Sequence, residues 1–427
     1  MSLLSSSPAT HPQRIAIIGT GISGLTAAHL LHKQHDVTVY ETNDYIGGHT
    51  HTVPVALDGQ SFEVDTGFIV CNDRNYPNFL ELMSRLPVTL QPTEMSFSVR
   101  NTVQNLEYNG HTLNTLFSQR RNLLRPAFYR LVTDILRFNR IARAAVDDAA
   151  TQTMTLNAFV DQHGFGTDFR ANYLLPMVAA IWSCSTQQAG AFPLDFFLRF
   201  FLNHGLLDIR NRPQWYVLKG GSHSYIPSLT AGYSDRIQLQ TPVRAVTRTA
   251  SEIRVQLDGR TESFDQVILA CHSDQALALL QNPEPDETTV LGAIGYQENT
   301  VTLHTDPSLM PMRPRSWASW NFLAGTTGEE ALPIVTYSMN ILQGLVSSQP
   351  LLVSLNASNR IRQDRILQEF RYAHPVYSAA ALQAQSRRDL ICGKDRIHFC
   401  GAYWYNGFHE DGVRSALDVC ARFGASL

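Results

Sequence analysis

Three glycines and an acid near the start of the chain have the spacing of a phosphate-binding turn. Gly19, Gly21 and Gly24 stand in G-x-G-x-x-G order, and Glu41 follows about 20 residues on. Each position has a physical task. Gly19 makes a tight turn, Gly21 lets backbone approach a pyrophosphate, and Gly24, with Ala28 one turn later, lets a helix pack close to a strand. The free N–H groups and positive dipole end of that helix hold phosphate. Glu41 is placed to accept ribose hydroxyls and would repel a 2′-phosphate, which argues against NADP. Ile22 and Ser23 in the turn and Thr42 beside the acid join this set. A glycine pair, Gly47-Gly48, followed by His49 and Thr50, can bring more backbone against the same cofactor.

The elements around these residues agree with the chemistry. Residues 15–18 are an apolar run of buried-strand length, and a helical pattern through Leu25, Ala28, Leu30 and Leu31 follows. Residues 37–40 form a second strand that ends on Glu41. A lone glycine motif is also compatible with an ordinary turn. Here strand, turn, helix, strand and acid appear in register, the order of a βαβ dinucleotide site. Two hairpins are expected, at residues 52–64 with an Asp58-Gly59 turn and at 253–264 with an Asp258-Gly259 turn. Residues 266–270 read as a buried parallel strand, and residues 300–304, 334–339 and 351–355 alternate as an antiparallel sheet does. Residues 75–148 read as mostly helical, residues 374–377 as a loop, and residues 407–412 as a turn before a final helix from Val413.

Composition limits the functions open to the chain. Its 427 residues, 44% hydrophobic and 17% charged, suffice for two or three domains with a sizeable core. A net charge of −3 gives no global attraction to nucleic acid, so none is expected as a partner. The six cysteines make no C-x-x-C pair and no histidines stand at zinc spacing, so free thiols in a reducing cytosol and no metal are expected. Residues 1–13 read as a loose tail rather than a signal peptide, and no stretch is long and apolar enough to span a membrane. Residues 111–145 are the exception to the balanced charge. Arg120, Arg121, Arg125, Arg130, Arg137, Arg140 and Arg143 interleave with leucines and aromatics, and Pro126 breaks or starts a helix. That pattern is either a solvated helix face or a peripheral contact with an anionic membrane on its inner face. Phe192, Phe196, Phe197, Phe200 and Phe201 serve either as core or as the wall of an apolar tunnel.

The residue order, with GGHTHT at 47–52, DTGFIV at 65–70 and the strand–glycine–loop–glycine–helix close at 397–420, resembles the flavin amine oxidase superfamily. Monoamine oxidases, protoporphyrinogen oxidases and carotenoid desaturases belong to it. The resemblance covers nearly the whole chain. It is strongest at the two ends, where it is nearest to a bacterial group found with cyclopropane fatty acid synthases, some of which desaturate methyl-branched acyl chains. His49 stands where that superfamily usually has Arg or Lys, and Ala402 where it has an acid after Gly401.

What the resemblance implies is an α/β fold: a Rossmann-type FAD-binding domain with a parallel sheet, interleaved with a substrate domain of mixed antiparallel sheet and helices. The FAD-binding parts would be residues 1–75, 236–280 and 391–427. Residues 76–235 would be a mostly helical part facing substrate or membrane, and 281–390 the substrate-domain sheet. The cofactor would be FAD, held by the glycines and Glu41 with Thr66, Gly67, Phe68, Val243, Gly401, Asp411, Gly412 and Val413. Phe68, Tyr403, Trp404 and His409 are the pocket candidates, and Arg414 and Asp411 are also placed to touch the cofactor. His409 is either the proton acceptor, matched near neutral pH, or a structural histidine fixing the turn before the last helix. With no second dinucleotide motif, the flavin would be reduced by the substrate itself. The expected partner is then a lipid or fatty acyl chain. An amine oxidase-like reaction, with Lys219 near the right segment, and a flavin held only for structure are the other readings.

Overall fold

The computed structural model describes residues 11–325, 328 and 331–427, so most of the stretch read as a loose N-terminal tail lies outside the described residues. A five-stranded parallel sheet carries the dinucleotide motif. Its strands are β1 (Arg14–Ile18), β2 (Asp36–Tyr40), β3 (Ile237–Gln238), β4 (Gln266–Leu269) and β5 (Ile397–Phe399), in the spatial order β3-β2-β1-β4-β5. β1 sits at the centre, with Ile15 paired to Val37 on one side and Ala16 to Val267 on the other. The chain leaves β1 toward β2 and returns much later beside it as β4. That reversal is the topological switch point at which open α/β sheets bind ligands. Near-complete burial of Ile15, Ile17, Val37, Val39, Val267 and Ile268 explains why these strands are continuous apolar runs.

Four helices bear on the site: α1 (Ile22–Leu31), α2 (Pro126–Ala145), α3 (Leu194–Asn203) and α4 (His409–Ala421). Pro126 is the first helical residue of α2, where its missing N–H costs nothing. The final helix starts at His409, four residues before the position expected from sequence. Gly412 is therefore inside the helix, not in a turn. Its reason is packing, because a Cβ there would lie 2.6 Å from Ile22 Cγ2 and 3.1 Å from Ser23 Oγ. The N-terminal turns of α1 and α4 thus cross closely.

A seven-stranded mixed sheet lies beyond. In order it runs Ile366–Pro375, Tyr296–His304, Leu352–Leu355, Ile334–Ser338, Trp320–Ala324, Phe97–Asn101 and Leu106–Asn109. The three alternating segments expected to pair do so, with Val301 opposite Leu355 and Leu355 opposite Val335. Two expectations change. Residues 97–109 form a hairpin, not helix, and dock in parallel on Trp320–Ala324. Long-range pairing onto an existing sheet edge decides this, and it leaves only a weak local pattern around Val99 and Tyr108. His374 and Pro375 close a ten-residue strand instead of forming a loop. Both expected hairpins form, with Asp58 and Gly59 both at positive φ in the first. Among the described residues no helix is long and apolar enough to cross a membrane.

Candidate active site

The site begins at the C-terminal end of β1. Gly19 adopts φ +108° and donates its N–H to Tyr40 O at 2.9 Å, locking the turn to β2. Gly24 is forced by proximity: a Cβ there would sit 2.0 Å from Gly19 O. Gly21 is the opposite case. A Cβ built on it meets no atom of the described residues within 4 Å. The glycine at 21 is thus not required by protein packing, which leaves the close approach of a ligand as its reason. Gly48 lies against this turn, its own Cβ position 3.1 Å from Gly21 Cα.

Glu41 is buried at the end of β2. Its carboxylate accepts from the Thr20 amide at 2.9 Å, the Thr20 hydroxyl and the Asn43 amide at 2.9 Å. A carboxylate offers about four lone-pair sites, so acceptor capacity for a ribose hydroxyl remains. Thr42, next to it, is exposed, and Val243 is buried nearby in the parallel-sheet core.

Residues 47–51 and 65–68 run side by side. Phe68 N donates to His49 O at 2.7 Å across Gly67, and Thr66 N donates to His51 O at 2.9 Å. Asp65, buried at the end of this run, accepts from Thr52, the Ser222 amide and hydroxyl, and Gln343. Burial pushes its carboxyl up to about 6, against those hydrogen bonds. Thr50 Oγ1 lies 2.9 Å from His409 Nε2 and 2.6 Å from Tyr225 Oη. The His409 ring stacks on Phe68 at 3.6 Å between centroids. Phe68, Ile22 and Val413 belong to one buried cluster. Phe68, Thr50 and His409 are therefore brought together, at the first turn of α4.

The folded environment changes what His409 can do. Burial, with His49 adding, holds its imidazole well below 6.5. It is neutral at pH 7 and a weaker base than a free histidine. Asp411, two residues on, caps α4 by accepting from Phe408 N at 2.9 Å, and burial pushes its carboxyl up to about 7. Glu410 faces another helix. It reaches the helix Pro77–Ser84, accepting from the Asn78 and Phe79 amides at its start. Arg414 lies over the Tyr405 ring at 4.0 Å. Tyr403 and Trp404 pack in the core of the parallel-sheet half, where Arg388 covers the Trp404 ring at 5.2 Å. Gly401 N donates to Ser415 Oγ at 2.8 Å.

The structure adds residues that the sequence did not single out. His272, just beyond β4, and His374 on the mixed sheet approach His49, with ring centroids 6.1 and 5.5 Å from it. Tyr372 stands 5.1 Å from the same ring. Burial holds His49 and His272 at about 4 and His374 at about 3, so all three are neutral. No local motif announces this group, because its members come from three distant segments. Tyr225 lies in the GGSHSYIP segment at 220–227.

FAD fits these residues. Gly21 leaves room for a pyrophosphate, and Glu41 retains acceptor capacity. The N-terminal turns of α1 and α4 converge, and His49 Nε2, Tyr377 Oη and Tyr403 Oη are buried polar atoms without a partner among the described residues.

The sequence profile of the flavin containing amine oxidoreductases matches residues 22–381. The chain belongs to this family. Its cofactor is FAD. A Mycobacterium tuberculosis protein that carries the name flavin-containing monoamine oxidase AofH is 25% identical over 283 residues, 63% of this chain and 59% of that relative. The chain thus matches less than two thirds of that relative's length. Among solved structures it is similar to cyclohexylamine oxidase from Brevibacterium oxydans IH-35A. The TM-score is 0.69 at 14% identity, over 96% of this chain and 98% of the other. It is equally similar to a CLA-producing fatty acid isomerase from P. acnes, with a TM-score of 0.69 at 14% identity and the same coverage. At these identities the likeness establishes the fold, which amine-directed and lipid-directed enzymes share.

Proposed function

We propose that this oxidoreductase dehydrogenates a long acyl chain, methyl-branched and carried by a phospholipid. The observation that carries this reading is a continuous aromatic layer running from α3 to the start of α4. Trp182 packs on Phe200 at 4.5 Å, Phe200 on Phe408 at 5.3 Å, and Phe196 on Tyr377 at 5.0 Å between centroids. Phe408 directly precedes His409, so apolar surface leads to the Phe68–His409 stack without a charged residue in the series. Such a surface suits an alkyl chain. An amine needs polar or charged groups to orient it. The family's amine chemistry commonly uses a lysine-held water, and Lys33, Lys219 and Lys394 are all exposed. A fatty acid isomerase of the same fold supports the lipid reading.

When bound, FAD supplies the hydride acceptor at N5. The chain's own residues do the rest. The aromatic layer orients the acyl segment and excludes water. A branch carbon eases hydride loss, because the cation-like centre it leaves is more substituted. The neighbouring carbon loses a proton, which we assign to His409 or a water it holds. Burial keeps that imidazole neutral at pH 7, and Thr50 and Phe68 hold it in place. Two electrons and one proton leave with the hydride and one proton goes to the base, so the product is two mass units lighter.

The test is anaerobic mixing of the FAD form with branched and unbranched phospholipids, followed by mass analysis of the acyl chains. Flavin bleaching with a loss of two mass units confined to branched chains supports the proposal. Rapid bleaching by a primary or secondary amine, with no response to any lipid, overturns it in favour of amine oxidation.

A further inference from the structure

Residues 113–140 carry a surface that the fold leaves without a partner. Leu113 is 77% exposed and Leu124 87%, while Leu123, Tyr129 and Leu136 are 45–46% exposed. Large apolar side chains this open, close together in sequence, mark interaction sites more often than chance scatter does. They are contiguous in space too. Tyr129 Oη donates to Leu123 O at 3.0 Å, which ties the turn Arg120–Leu124 to α2. The Phe117 ring lies 5.9 Å from Tyr129, which ties in the short helix Leu113–Leu116. Along α2, Tyr129, Thr133, Leu136 and Arg140 follow at helical spacing on one exposed stripe. Phe128, Leu131, Phe138 and Ala142 occupy the buried face.

The charge around this patch is not neutralised. Among the described residues, only Arg137 and Arg143 of the seven arginines meet carboxylates, those of Asp134 and Asp208. Arg120 donates to Phe117 O and Asn114 Oδ1, and Arg121 and Arg125 donate to Asn105 O. The Arg130 and Arg140 guanidiniums have no hydrogen bond or ion pair among the described residues. Five guanidiniums are therefore left without a counter-charge among the described residues, on a chain whose net charge is −3.

We propose that this surface docks on an anionic phospholipid bilayer, with Leu113, Leu123 and Leu124 entering the acyl boundary and the arginines lying at the phosphates. The inference deepens the acyl-chain reading and rests on it for the relevance of a bilayer. Charge complementarity selects the occupant. A second copy would set these arginines against the same arginines, since a two-fold interface is self-complementary. A nucleic acid would leave the leucines with nothing apolar to cover them. A bilayer with acidic headgroups satisfies both kinds of side chain at one depth. The location also serves the reaction. The buried face of α2 meets α3 through Phe138 and Phe197, 6.2 Å apart, and α3 carries Phe196 and Phe200 of the aromatic layer. One helix therefore separates the docking face from the surface proposed to take the acyl chain.

The experiment is flotation of the FAD-loaded protein with vesicles of pure phosphatidylcholine or of equimolar phosphatidylcholine and phosphatidylglycerol. Binding to the anionic vesicles at low salt, lost at high salt, is expected. Each of Arg120→Gln, Arg121→Gln and Arg130→Gln should weaken it by about fivefold. Leu113→Gln with Leu124→Gln should abolish retention while leaving the flavin spectrum and thermal melt unchanged, because both side chains are open to solvent. No flotation on anionic vesicles, or flotation indifferent to these changes, overturns the proposal. So does a dimer in analytical ultracentrifugation that the leucine changes dissociate. The two readings separate in a further arm. If vesicles do not bind but micellar acyl chains still bleach the flavin, only the docking surface fails. If vesicles bind and no lipid in any form bleaches it, only the substrate reading fails.

Discussion

The contrast between Gly21→Ala and Gly24→Ala tests the reading of the cofactor site by sign as well as size. Gly21 has φ −62° and ψ 170°, a conformation open to any residue, and an added Cβ meets no atom of the described residues within 4 Å. Removing a glycine N-cap costs up to about 1 kcal/mol. Restricting the unfolded chain returns about 0.4–1 kcal/mol. Apo stability should therefore move by less than about 1 kcal/mol, a few degrees at most in Tm for a chain of this size. The methyl would instead stand where pyrophosphate meets the backbone amides. Losing two hydrogen bonds to a charged group costs roughly 3–6 kcal/mol, or about 10²–10⁴ in FAD affinity. Gly24→Ala behaves in reverse. Helix propensity alone would make it more stable by about 1 kcal/mol. Its Cβ, however, would lie 2.0 Å from Gly19 O, a backbone atom that cannot yield without parting α1 from β1. Overpacking of that kind costs about 1–3 kcal/mol or more, so the sign is destabilising. Flavin-to-protein absorbance ratios, fluorescence titration with FAD, and thermal melts of the apo proteins measure both effects. Gly21→Ala that binds FAD with native affinity, or Gly24→Ala that melts at or above the native temperature, would refute the reasoning.

Three further outcomes are expected. Acid should destabilise the apo protein steeply: His49, His272 and His374 are held at about 4, 4 and 3 against an unfolded value of 6.5. Their contribution is present above pH 6.5 and is lost as pH falls toward 4, at about 1.4 kcal/mol per pH unit for each. Asp65 and Asp411, raised to about 6 and 7, act in the opposite sense, favouring the fold at low pH and losing that contribution as pH rises from 3.8 through those values. The histidines outnumber them, so a Tm that is flat or rises between pH 6.5 and 4.5 would contradict the burial assigned to the group. Gly412→Val should destabilise by about 1–3 kcal/mol, since its Cβ would press on Ile22 and Ser23, and chemical denaturation would show it as a lower midpoint with an unchanged slope. NADH and NADPH should fail to bleach the flavin in stopped-flow mixing at turnover-like rates, because only one dinucleotide motif is present.

Much of the cofactor half was legible in the residues themselves. The motif at 19–24, the strands either side of it and Glu41 are local in sequence. Each residue type there answers to one backbone requirement: a positive φ at Gly19, a close contact at Gly24, and a free approach at Gly21. Alternation of residue types likewise marks the strands at 300–304, 334–339 and 351–355, although in the fold they are buried on both faces. The resemblance at the two chain ends led to FAD, which family membership establishes. Other features depend on segments that meet only in the folded chain. The hairpin at 97–109 exists because a sheet edge at Trp320–Ala324 receives it. Gly412 looks like a turn residue until α1 crosses it. His409 has the titration of a neutral-pH base in a peptide, and loses it when burial beside Phe68 and His49 makes the charged imidazole costly. The approach of His272 and His374 to His49, and of Tyr225 to Thr50, joins residues over a hundred positions apart. Sequence determines which backbone conformations and which buried faces are available. Tertiary packing determines which distant side chains share one desolvated space, and desolvation and proximity set their charge and chemistry.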